Sequence, residues 1–192
     1  MVMLTISLLL CAAFALSGAA VLVSVNLLEE NTEQTPLGAE EKLMVRRAAR
    51  RPCPEDYLRF GSRCFLFVET ERNWPDAELH CVSLGANLAS VHSYADYQHL
   101  QAVVANTNSD LPATWIGGYE AVQLDGTKDR QWFWTDGSKF DYHKWNKGEP
   151  NNYKGSIESC ILMNWADEKG WNDSTCRGNV FPSVCSLRTI FK

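Results

Sequence analysis

Glu149-Pro150-Asn151, Glu158-Ser159-Cys160 and Trp171-Asn172-Asp173-Ser174-Thr175-Cys176 follow one another in a single stretch that contains a concentrated set of carboxylates and carboxamides. The five side chains Glu149, Asn151, Glu158, Asn172 and Asp173 all offer oxygen. Calcium takes about six to eight oxygens from carboxylates, amides and backbone carbonyls, so this set supplies most of a coordination shell. The acids repel one another unless a cation lies between them. A cis Glu149–Pro150 bond would turn the side chains on either side of Pro150 toward one point. Cys160 and Cys176 flank the gap between the two acidic clusters, and a disulfide between them would bring the clusters together. Two plainer readings compete. Loop acids are usually just solvated, and Asn172-Asp173-Ser174 is also a glycosylation sequon.

Outward from this stretch, the segment between Asp136 and Glu158 is long and polar, with Gly137, Gly148, Pro150, Asn152 and Gly155. A loop of that length in a compact domain is either functional or disordered. Short strands are expected around it, over residues 114–116, 131–134, 160–165 and 180–186. Earlier in the chain, β-rich runs at 57–60 and 64–68 around Gly61 and Ser62 predict a hairpin. Asn73 is a helix cap, Pro75 sits in the first turn where proline is tolerated, and Gly85 is placed to end that helix. A second helix is expected after Ser93, with Tyr94, Tyr97, Leu100, Val103 and Val104 as its apolar stripe. Both end by about residue 107. The result is an α+β arrangement, helices first and antiparallel sheet after.

From Cys53 to Arg188, about seven-tenths of the chain, these motifs in this order resemble the C-type lectin-like domain. Cys53-Pro54 with Phe60 and Cys64 is similar to the family's opening hairpin. The run from Leu84-Gly85-Ala86-Asn87-Leu88 through Ala89-Ser90-Val91-His92-Ser93 is similar to the link between its helices, and Trp115-Ile116-Gly117-Gly118 to its core strand. Trp132, Trp134, Asp136, Gly137 and Ser138 match the segment before its binding loop. The resemblance implies two helices with antiparallel sheets, a long calcium-binding loop and the disulfides Cys53–Cys64, Cys81–Cys185 and Cys160–Cys176. It also implies that Glu149, Asn151, Glu158, Asn172 and Asp173 bind Ca2+ and, through it, sugar hydroxyls. The connection from Glu149 to Glu158 is one residue longer than the commonest family spacing. Glu-Pro-Asn order is associated there with mannose-type equatorial hydroxyls, and Gln-Pro-Asp with galactose. Glu149 accepts hydrogen bonds and Asn151 donates them, so their order sets the pattern a sugar meets. The Trp-Ile-Gly-Gly variant and the Gly85-to-Ser93 string most resemble the ladderlectin and type II antifreeze branches. Antifreeze members usually carry more than six domain cysteines and alter Glu-Pro-Asn. This chain does neither, which favours sugar over ice.

The remainder of the chain bounds its surroundings. Of the 192 residues 45% are hydrophobic, enough for one domain with a real core, and the net charge of -5 argues against a nucleic-acid surface. Residues 1–28 carry no charged side chain, and 1–20 read as a signal peptide with small residues at Ser17, Gly18, Ala19 and Ala20. The rival reading is an uncleaved anchor, although no Lys or Arg precedes the apolar run. Residues 21–52 form a prosegment or linker, with Arg46, Arg47, Arg50 and Arg51 either a processing site or a solvated basic patch. The domain spans 53–192. Loss of the leader removes Cys11 and leaves six of the seven cysteines, which suits three disulfides in an oxidising compartment. No nucleophile elbow or C-x-x-C pair is present, so the expectation is a secreted, non-enzymatic lectin for mannose-type glycans on cell or microbial surfaces. An ice-binding protein on the same scaffold and a protein-binding lectin-like domain are the alternatives. His80, His92, His99 and His143 are scattered and read as surface or hydrogen-bonded residues. Trp74, Trp115, Trp132 and Trp134 are expected in the core, and Trp145 and Tyr153 nearer a ligand.

Overall fold

The computed structural model describes residues 52–121 and 130–189. The signal peptide expected over 1–20 and nearly all of the segment expected over 21–52 lie outside them. β1 (Leu58–Phe60) and β2 (Arg63–Arg72) form the expected hairpin, with β2 running past residue 68. The Asn73 side chain accepts the Asp76 amide at 3.0 Å and so caps α1 (Trp74–Ser83). The chain leaves that helix through Gly85 at φ 74, a left-handed conformation that glycine adopts without a Cβ penalty. After the short β3 (Asn87–Leu88), the Ser93 hydroxyl accepts the Asp96 amide at 3.0 Å and starts α2 (Tyr94–Ala105). Tyr97, Leu100, Val103 and Val104 are buried as the stripe requires, but Tyr94 is 56% exposed. Its place in the first turn goes to Asp96, which is buried against Arg63 at 3.0 Å.

The remaining strands are β4 (Thr114–Glu120), β5 (Trp132–Trp134), β6 (Cys160–Trp165), β7 (Gly170–Ser174) and β8 (Phe181–Arg188). Six of the eight strands lie in the order β1-β2-β8-β4-β6-β7, with β3 on β8 and β5 on β4. The strands pair antiparallel as expected, with one addition. β8 returns to the middle of the sheet, antiparallel to β2 but meeting β4 in parallel through Trp115 and Ser183. The sheet is therefore mixed.

Strand periodicity explains how the sheet is covered, because successive side chains point to opposite faces. In β6, Ile161 and Met163 join one apolar cluster while Cys160 and Leu162 join the other; in β8, Val184 and Cys185 divide likewise. The first cluster takes in α2 together with Trp134 and Trp171, and the second takes in α1. Trp115 and Trp134 are fully buried as expected, whereas Trp74 and Trp132 are only half-buried at the edges. Each fully buried large apolar side chain contributes about 1.5–3 kcal/mol. All three implied disulfides are present, and Cys81–Cys185 ties α1 to β8 across a sequence separation of 104. Closing a loop of that size removes about 4.7 kcal/mol of unfolded-state entropy. Among the described residues, no helix is long and apolar enough to cross a membrane.

Candidate functional site

The long polar segment after β5 is stitched to β7 by backbone hydrogen bonds. Trp171 donates its amide to the Lys144 carbonyl at 2.8 Å, and Asn146 donates to the Trp171 carbonyl at 2.9 Å. The close approach requires Gly170, since a Cβ there would stand 2.1 Å from Asn146 Oδ1 and 2.9 Å from the Lys144 carbonyl. Asn146 is itself buried and donates Nδ2 to the Trp165 carbonyl at 2.9 Å. Residues 146–151 are thereby laid beside Asp173. The Glu149–Pro150 bond is cis, as anticipated.

Asp173 is the hub. Its fully buried carboxylate accepts the Asn151 amide on Oδ1 and the Asn152 amide on Oδ2, each at 3.0 Å. Asn151 Nδ2 donates to Glu149 Oε1 at 2.9 Å. A 3-10 turn follows over Tyr153–Gly155. That turn brings Glu158 back, with its amide donating to Asn152 Oδ1 at 3.0 Å and its Oε2 accepting the Tyr153 amide at 2.6 Å. Glu149, Asn151, Glu158 and Asp173 are thus brought together. Asn172 is not joined to them by a side-chain hydrogen bond. Its carboxamide nitrogen instead donates to the Asp173 backbone carbonyl. Asn172 also lies inside β7, paired with Leu162, and not in the exposed loop that a glycosylation sequon needs.

The sequence reading missed Arg130 and Glu120. Arg130 donates Nη1 to Asp173 Oδ2 at 2.5 Å, and Nη2 both to Glu120 Oε2 at 2.8 Å and to the Glu158 carbonyl at 2.5 Å. The guanidinium lies over the Trp132 ring, 4.6 Å from its centroid. No local pattern marks it, because Arg130 lies just before β5 and meets its partners only through the fold.

Charges crowd at this point. Burial, followed by the adjacent Asp173 and then Glu158, pushes the Glu149 carboxyl up to about 7. Burial also raises Glu158, against the opposing hydrogen bond from the Tyr153 amide. Burial would raise Asp173 too, but the hydrogen bonds from Arg130 and from the Asn152 and Asn151 amides outweigh it and hold the group below its ordinary value. Among the described residues, no group of three or more His, Cys, Asp or Glu side chains forms a metal cluster by itself. The donor set here is mixed, and one member lacks a donor: Glu149 Oε2 is buried, and the Glu149 carboxyl can bond the Asp173 carboxylate only when it carries a proton. A buried acceptor without a donor is costly, and a hard cation satisfies it, so the oxygens fit calcium.

Beside the acids, Trp132, Phe133, Phe140, His143, Trp145 and Pro150 line an open groove of about 730 Å³. Trp145 is half-buried against Trp132, with centroids 4.9 Å apart, while the Tyr153 ring is 60% exposed. His92 is hydrogen-bonded to Asp141, Ser90 and Ser138, and His99 stacks on Phe60.

Residues 70–187 match the family described as Lectin C-type domain. Ladderlectin of Oncorhynchus mykiss is 57% identical over 185 residues, covering 95% of this chain and 92% of that protein. The galactose-specific lectin nattectin of Thalassophryne nattereri is 37% identical over 135 residues, covering 69% of this chain and 79% of that protein. Among solved structures, herring type II antifreeze protein superposes with a TM-score of 0.62 at 35% identity, covering 71% of this chain and 98% of that one.

Proposed function

This chain belongs to the C-type lectin domain family, and on that footing we propose that it is a secreted, calcium-dependent lectin for mannose-type sugars. It is a binding protein and not an enzyme, in keeping with relatives that are lectins and antifreeze proteins. The observation that carries the reading is the gathering of Glu149, Asn151, Glu158 and Asp173 by loop-to-strand hydrogen bonds, with Glu149 Oε2 buried and without a donor. These four side chains would hold the ion, and Asn172 would join them through its carboxamide oxygen. When bound, calcium supplies a Lewis-acid anchor for two neighbouring sugar hydroxyls. The chain does the rest. Glu149 accepts a hydrogen bond from one hydroxyl and Asn151 donates to the other, and this order favours mannose-type over galactose-type hydroxyls. Nattectin is described as galactose-specific, so the preference of this chain is assigned on its own Glu149 and Asn151 and not carried over from that relative. Secretion is supported by the leader-like residues 1–20 and by three disulfides, which persist in oxidising compartments.

A shallow site makes few contacts, so single-site affinity is expected on the order of mM, or about 4 kcal/mol. Capture of a cell or microbe would then rely on several sites engaging one surface. A glycan array probed with and without calcium tests the reading. Binding to mannose-terminated glycans that a chelator abolishes is the expected result. Binding indifferent to the chelator, or confined to galactose, would overturn it. Thermal hysteresis without glycan binding would place the chain with the antifreeze proteins it resembles in fold.

A further inference from the structure

We propose that Arg130 is the site's own counter-cation, which gives up Asp173 when a divalent ion is taken up and so sets the calcium concentration at which the site fills. The inference rests on the calcium reading above and concerns how that site is regulated. The Arg130, Glu120 and Asp173 side chains are 10%, 3% and 0% exposed, so the trio is built into the protein and is unlike a screened surface pair. Arg130 bridges Asp173 Oδ2, Glu120 Oε2 and the Glu158 carbonyl. With the Asn151 and Asn152 amides also on Asp173, three donors occupy a carboxylate that has about four acceptor positions.

The Arg130 charge therefore does in the protein alone what a metal does when loaded: it offsets the repulsion among Asp173, Glu149 and Glu158. Two cations on one buried carboxylate oxygen repel strongly. A divalent ion that takes Asp173 Oδ2, where Arg130 and the Asn152 amide already donate, displaces the guanidinium. Arg130 has somewhere to remain, because the Glu120 carboxylate at 2.8 Å and the Trp132 face at 4.6 Å still hold it. The exchange needs a side-chain movement and no rearrangement of β4 or β7.

The test is a calcium titration of the full secreted chain and of Arg130→Gln by calorimetry, without sugar, together with thermal melts in chelator. Removing the competing charge should tighten calcium binding by about tenfold. The same variant should melt several degrees lower in chelator. Equal or weaker calcium binding by Arg130→Gln, with calcium still bound by the unmodified chain, would overturn the proposal while leaving the calcium reading intact. Absence of calcium binding by both proteins would overturn the two together. A second measurement needs no variant. Crystals of the unmodified chain grown in chelator and in millimolar calcium should show Arg130 bridging Asp173 only in the first, and a bridge retained beside a bound ion would refute the exchange.

Discussion

Asp173 and Glu149 are both proposed calcium ligands, yet without calcium they should respond in opposite ways to loss of charge. Asp173→Asn leaves one acceptor oxygen where two backbone amides and a guanidinium donate, and turns an NH2 group toward donors. It also strips a partner from a buried ion pair, a change that costs about 3–5 kcal/mol. Arg130 keeps Glu120 and the Glu158 carbonyl, so the lower end, about 3 kcal/mol, is expected. For a domain of this size that is a fall in Tm of about 10 °C. Glu149→Gln keeps the acceptor for Asn151 Nδ2 at 2.9 Å and loses nothing at Oε2, which has no donor. It also relieves repulsion from Asp173 and Glu158, the same crowding that pushes the Glu149 carboxyl up to about 7. Its stability should therefore stay within about 0.5 kcal/mol of the parent or rise. Urea and thermal denaturation of both variants in chelator measure the difference. Comparable losses in the two would refute the idea that Asp173 is the satisfied hub and Glu149 the strained member.

Three further outcomes follow from other parts of the molecule. A Cβ on Gly118 would lie 2.3 Å from Ile161 Cδ1, so Gly118→Ala should cost about 1–3 kcal/mol, and adding Ile161→Val should recover at least about 0.5 kcal/mol in a double-mutant cycle; strict additivity would contradict the packing. Burial would raise Asp136, but hydrogen bonds from the Ser138 hydroxyl and amide and from Ser90, with the Arg188 charge, outweigh it and hold the group below its ordinary value of 3.8. Its contribution is thus present above that value and lost as pH falls below it, so Asp136→Asn should flatten the decline of the urea midpoint between about pH 4 and pH 2, and an unchanged decline would count against this role. Glu149→Gln combined with Asn151→Asp should shift retention from mannose to galactose resin, and unchanged preference would show that the order of donor and acceptor does not select the sugar.

Much of the scaffold was legible because its signals are local. Asn73 and Ser93 cap their helices through their own side chains, and the alternation in β6 and β8 assigns residues to faces without knowledge of the partner strand. The parallel contact between β4 and β8 was not legible, since it depends on where the last strand inserts. Tyr94 fits the stripe by spacing yet is exposed, because the buried Arg63–Asp96 pair takes that turn and involves residues more than thirty positions apart. All five expected site residues were grouped by oxygen chemistry alone, and loop-to-strand hydrogen bonds join four of them. Arg130 could not be found that way, because its partners Glu120, Glu158 and Asp173 are set by strand register and by a loop returning over β7.

Equilibrium dialysis against radioactive calcium, comparing the unmodified chain with Glu149→Ala/Asn151→Ala, addresses the calcium site most directly. The double variant should fold normally, since neither side chain anchors the core, and should bind one ion fewer per chain. Equal stoichiometry in the two proteins, or no bound calcium in the unmodified chain at millimolar concentration, would contradict the assignment.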